Sequence, residues 1–126
     1  MRTIPTIIII VVLLLGGSWT SYYYLQRTTQ SLETRFEAIE QSISTQNWSS
    51  TEKELNLTQK QWDKTQTMWT IILDHQQIDS IDLSLNRLAK FVQVHDLPLS
   101  LGEISTLKLL VEEVADTEKF TLSNIL

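Results

Sequence analysis

Residues 47–72 read NWSSTEKELNLTQKQWDKTQTMWTII, and within them Trp48, Thr51, Leu55, Thr58, Trp62, Thr65, Trp69 and Ile72 follow one another at alternating steps of three and four. That spacing belongs to an α-helix, whose turn of roughly 3.6 residues gathers such positions on one edge. Strict alternation of three and four is also the seam of helices packed side by side. The seam is therefore read as core, with the Glu, Lys, Gln and Asp residues between its members covering the outer face. A platform for an aromatic or cationic ligand is the alternative use of such an edge. Core is preferred because each buried aromatic contributes on the order of 2 to 3 kcal/mol, which a small domain needs. Asn47, immediately before the seam, is the residue type that caps a helix N-terminus.

Upstream, Leu25, Leu32, Phe36, Ile39 and Ile43 recur at steps of seven, four, three and four. This is one apolar stripe on a second helix, expected to end near Gln46 and to pack on the tryptophan seam. Further upstream, no charged side chain lies between Arg2 and Arg27, and residues 7–15 are an unbroken run of Ile, Val and Leu. The uncharged residues 3–24 form a helix of about 30 Å, the thickness of a hydrocarbon core. Trp19, Tyr22, Tyr23 and Tyr24 follow the run, where rings at headgroup level form an aromatic belt at the membrane interface. Arg2, the apolar run and then Gly16, Gly17 and Ser18 also have the order of a cleaved secretory signal. The belt favours a retained signal-anchor, since a mature N-terminus has no use for clustered rings. Pro5 falls in the first turn, where its missing N–H costs little.

Downstream, Asp74 and Gln77 have capping-box spacing, and a new stripe of Ile78, Ile81, Leu85, Leu88 and Val92 marks a third helix. Asp96, Leu97 and Pro98 interrupt it. Ser100 and Glu103 then form a second capping-box pattern before Ile104, Leu107, Val111 and Val114, the stripe of a fourth helix. Phe120, Leu122, Ile125 and Leu126 are expected to fold back as an apolar tail. Glycine and proline are nearly absent after Ser18, which argues against hairpins and for helices joined by short turns. The expected fold is all-α: an N-terminal transmembrane helix, residues 1–26, continuing into a small antiparallel up-and-down bundle, residues 27–126, of about four helices. Its core would hold Phe36, Ile39, Trp48, Leu55, Trp62, Trp69, Ile78, Ile81, Leu85, Leu88 and Leu107.

The ordered series that begins with Trp62 and Trp69 also carries a resemblance. It continues through Asp74-His75, Ile78-Asp79, Ile81, Leu85, Arg87 and Leu88, then from Glu103-Ile104 to Leu110, and ends in Leu122-Ser123-Asn124-Ile125-Leu126. This series resembles the DUF4363 family, uncharacterised small single-span membrane proteins of clostridia and related Gram-positive bacteria. The resemblance implies one span and a helical domain. It brings no catalytic residue, cofactor or activity to these positions.

Composition narrows the function. The net charge is -5, and with Arg2 the only charge before Arg27, the part beyond the apolar run is more acidic still. A basic footprint for nucleic acid is missing. With no cysteine there is no disulfide framework, thiolate metal site or thiol nucleophile. Neither a phosphate-cradling glycine loop nor a glycine-flanked nucleophilic serine occurs, so no enzyme and no cofactor are expected. His75, Asp79 and Asp82, at steps of four and three, share a helix face from which an imidazole and two carboxylates can approach a divalent cation. The favoured account of them is acidic groups complementing the positive end of the helix dipole and solvating its outer face. The expected partners are the lipid bilayer, through the first helix, and a membrane or envelope protein. The function read from the sequence is a membrane-anchored, non-enzymatic interaction or assembly module in the cell membrane, with its C-terminal domain extracytoplasmic. The alternative is a ligand- or metal-sensing extracytoplasmic module.

Overall fold

The computed structural model describes the backbone of residues 2–125 and the side chains of residues 2–117. The chain forms four helices, α1 (Thr3–Ser44), α2 (Trp48–Ile72), α3 (His75–Gln93) and α4 (Leu97–Ile125). α1 packs on α2 and α4, and α3 packs on the same two from the opposite side, leaving α1 and α3 diagonal. Short connections between consecutive helices give the antiparallel up-and-down order. The apolar stripes meet at the centre: Leu25, Leu32, Phe36, Ile39 and Ile43 of α1 are fully buried against Leu55, Trp62 and Trp69 of α2, Ile78, Ile81, Leu85, Leu88 and Val92 of α3, and Ile104, Leu107, Val111 and Val114 of α4.

Both turns at one end of the bundle are built alike. In the first, the Gln46 N–H donates to the Ile43 carbonyl and the Asn47 N–H to the Ser42 carbonyl; in the second, His95 donates to Val92 and Asp96 to Phe91. These are paired Schellman bonds, which satisfy carbonyls left open at a helix C-terminus. The left-handed residue such a turn needs is usually glycine, yet here it is Gln46 and His95, each at φ 56°. The next residue in each turn caps the following helix: the Asn47 side chain accepts from the Ser50 N–H at 3.3 Å, and that of Asp96 from the Leu99 N–H at 3.0 Å. At the other end, Leu73 and Asp74 are extended, and the Asp74 carboxylate accepts from the Gln76 N–H.

Two expectations change here. The fourth helix starts at Leu97, ahead of the Ser100–Glu103 capping box, because Asp96 takes the cap and Pro98 sits in the first turn, where no N–H is required. Ser100 thereby lies inside the helix, fully buried, with no hydrogen-bond partner for its hydroxyl among the described residues, and Glu103 accepts instead from the Ser84 hydroxyl at 2.6 Å. Trp48, expected in the core, is half-buried at the end of the bundle, since it is the first residue of α2 and has helix packed on one side only. α4 runs on as helix to Ile125; the fold-back of Phe120, Leu122, Ile125 and Leu126 concerns side chains outside the described residues.

Candidate functional site

α1 changes character along its length without a break. Through residue 20 every described side chain is exposed, including Leu13 at 69%, whereas Leu25 is at 0%. None of this apolar first part is buried among the described residues, and by length and composition α1 is long and apolar enough to cross a bilayer. The change falls among the aromatic residues. Trp19 and Tyr23 are exposed, while Tyr22 and Tyr24 are half-buried and Tyr24 packs on the core. Arg27 lies over the Tyr23 ring at 5.7 Å, a cation–π contact at the same level.

Register along α1 and α2 is held by polar contacts that cross the helix pair. The Gln61 amide donates to the Ser31 hydroxyl at 2.8 Å and its carbonyl accepts from the Arg35 guanidinium. Lower down, the Trp69 indole N–H donates to the Thr28 hydroxyl at 3.0 Å. Below these contacts an open cleft of about 620 Å³ lies between the end of α2 and the apolar part of α1, with Met68 and Ile72 on one side and Val12, Gly16, Thr20 and Tyr24 on the other. A Cβ on Gly16 or Gly17 would meet nothing within 4 Å, so the missing side chains leave open space there.

At the opposite end of the bundle, the Trp48 and His95 rings stack at 4.9 Å with 4° between their planes, joining the two Schellman turns. Val94 and Leu99 stand exposed beside them. The histidine can reach the tryptophan because its left-handed backbone turns it out of α3 toward the start of α2. Periodicity alone missed this pair, although Val94-His95-Asp96 and Thr45-Gln46-Asn47 hold corresponding places after their apolar stripes.

The candidate metal residues do not act together. His75 and Asp79 are exposed, and Asp82 is half-buried, its carboxylate accepting from the Trp62 indole N–H at 3.2 Å. Asp82 is thus a structural acceptor, where an outward-facing solvated group was expected; a buried indole seeks a partner and Asp82 is the one in reach. Among the described residues, no cluster of His, Asp and Glu side chains has the arrangement to hold a metal ion. Trp62 and Trp69 are both buried and meet edge to face at 5.6 Å, a packing geometry that leaves neither face open to a ligand. On the α1–α4 surface, Glu33 is crowded by acidic neighbours. Burial first, then Glu112, Glu37 and Asp116, raise its carboxyl above the ordinary carboxylate range, and Lys108 opposes them. Lys108 itself pairs with Glu40 at 3.5 Å.

The sequence profile of a family described as a domain of unknown function, DUF4363, matches residues 19–125, so the chain belongs to that family. The matched stretch begins at Trp19 and contains Tyr22, Tyr23, Tyr24 and the bundle, with the Ile/Val/Leu run outside it. No curated protein and no solved structure matches the chain.

Proposed function

We propose that this member of the DUF4363 family is a single-pass membrane protein whose bundle is a non-enzymatic interaction module, held on the extracytoplasmic face and offering its far end to another envelope protein. The observation that carries this reading is the continuity of α1: one unbroken helix supplies both an apolar segment that the described residues leave unburied and a wall of the bundle core. A hinge at the membrane would let the domain drift. A shared helix instead holds the bundle at a set height, with its far end about 30 Å beyond Tyr24 at the helical rise.

The far end is where a protein partner is best received. Val94 is 71% exposed and Leu99 51% exposed, and the Trp48–His95 stack adds aromatic surface at the same end of the bundle. Apolar and aromatic anchors of this kind carry most of the energy of protein interfaces. The acidic charge disfavours nucleic acid as the partner. The sensing alternative has less support, because Asp82 is engaged by Trp62 and His75 and Asp79 remain solvated.

Photo-crosslinking in native membranes tests the reading, with the reactive side chain placed at Val94 or Leu99 and, for comparison, at Lys53 on the flank of α2. A discrete protein adduct from the far-end positions alone is the expected result. Adducts of equal yield from all three positions, or none from Val94 and Leu99, remove the interface from this end. A cysteine in place of Ser49 should react with a membrane-impermeant maleimide on intact cells; protection until lysis would reverse the sidedness.

A further inference from the structure

We propose that the corner between α2 and α3 is a second membrane-contact site, seated in the lipid headgroup and upper acyl region beside α1. The inference rests on the spanning reading of α1 and goes beyond it. Register fixes the height of the corner. Gln61 contacts Ser31 and Arg35, and Trp69 contacts Thr28, so each turn of α2 toward its C-terminus is a turn down α1 toward the apolar segment. At the end of α2, Ile72 shares a cleft with Tyr24, which places the corner level with the aromatic belt.

The chemistry of α2 changes at that height. Glu52, Lys53, Glu54, Lys60, Asp63 and Lys64 mark its upper part, whereas residues 65–73, TQTMWTIIL, contain no charge. Among the described residues Ile71 is the most exposed large hydrophobic side chain, at 81%, and Met68 is 46% exposed. An isoleucine held out this far gains from any apolar cover, and the acyl chains of the membrane are the cover available at this level.

The cleft beneath the corner identifies the occupant. Its lower wall is Val12, Leu13 and Gly16, which belong to the segment that the described residues leave unburied, so the space opens sideways into whatever surrounds that segment. For a spanning helix that medium is hydrocarbon. Thr20, Ser21 and Tyr24 line the upper part of the same cleft, at the level where the ester and headgroup oxygens of a phospholipid lie; the Thr20 hydroxyl donates within the helix, to the Gly16 carbonyl at 2.8 Å. The corner and the acidic bundle bring no cluster of Lys or Arg that would select anionic lipid, so a neutral phospholipid suffices. With α1 crossing and the corner dipping in, the bundle is fastened at two points and cannot roll about the α1 axis.

The chain has no cysteine of its own, so single-cysteine variants report one position each. Full-length Leu13→Cys, Leu57→Cys and Ile71→Cys would carry a nitroxide in phosphatidylcholine vesicles, with collision rates measured for oxygen and for a water-soluble nickel chelate, and helix content checked by circular dichroism. The expected pattern is several-fold preference for oxygen over nickel at Leu13 and Ile71, and the reverse at Leu57. Nickel access at Ile71 with oxygen preference retained at Leu13 overturns the corner contact and leaves the span standing. Shielding of Ile71 from both reagents means that protein covers it, a second copy or a partner helix, and also overturns the proposal. Nickel access at Leu13 itself defeats the spanning reading, and with it the premise of the corner contact.

Discussion

Replacing Trp62 by alanine probes the packing at its centre. The side chain is only 2% exposed, meets Trp69 edge to face and donates its indole N–H to Asp82. Truncating a buried large aromatic costs about 3 to 5 kcal/mol from lost transfer energy and the cavity left behind. The edge-to-face pair adds about 0.5 to 1.5 kcal/mol beyond area. Asp82 is half-buried, so water can take the place of the indole, and the hydrogen bond contributes about 1 kcal/mol. The total approaches the whole stability of many domains. The assay is urea unfolding of the full chain in mild detergent in a background lacking Trp19 and Trp48, followed by the emission of Trp62 and Trp69 in the parent and of Trp69 alone in the variant. Full length is required because Leu25, fully buried, and Tyr24, packed on the core, would be lost from a fragment starting at Arg27. A double-mutant cycle of Trp62→Phe with Asp82→Ala isolates the hydrogen bond, with an expected coupling of about 1 kcal/mol. A Trp62→Ala variant that unfolds at the parent's urea midpoint would refute the placement of this edge in the core.

Other substitutions address the turns and the acidic surface. Gln46→Gly should raise stability by about 0.5 to 1 kcal/mol in the same assay, because glycine accepts the left-handed backbone; His95→Gly should gain less or lose, since it also removes the Trp48 stack. Asp96→Ala should cost about 1 kcal/mol as the loss of an N-cap, while Ser100→Ala, which removes a buried hydroxyl without a partner, should be neutral or stabilising. The opposite ranking in urea midpoint would return the cap to Ser100. For Glu33, the folded-state pKa lies above the unfolded one, so the folded protein binds its proton more tightly. The resulting stabilisation is complete below the unfolded pKa and is lost as pH rises through the folded value. Glu33→Gln should therefore unfold at higher urea than the parent at pH 7 and show a weaker pH dependence between pH 4 and 7; a variant less stable than the parent at pH 7 would reverse the sign assigned to this site.

Local periodicity was enough to place all four helices. Apolar positions recurring at three and four residues leave a chain of this length little choice but to stack its stripes, and the stripes read from the sequence are the ones that meet at the centre of the bundle. The caps at Asn47 and Asp74 were legible for the same reason, because a cap acts within three residues of itself. The exposed apolar part of α1 was equally plain, since an uncharged run declares itself without reference to any neighbour.

What the tertiary structure decided depends on residues far apart in the chain. Ser100 and Asp96 both had the chemistry of a helix cap; the choice went to Asp96, and α3 supplied Ser84 to occupy Glu103. Asp82 had the look of a solvated helix-face carboxylate until α2 brought the Trp62 indole to it across 20 residues of sequence. Trp48 had the spacing of a core residue, but spacing carries no information about where a bundle stops, and it came to rest on the ring of His95. The exposure of Ile71, next to an Ile72 that shares a cleft with Tyr24, likewise follows from how far α2 reaches along α1, a matter of helix length and antiparallel register that no single stripe records. Sequence periodicity determines which face of a helix is buried, because that is a property of one turn and the next; which polar group meets which, and what lies at each end, is determined only when four helices of unequal length are set side by side.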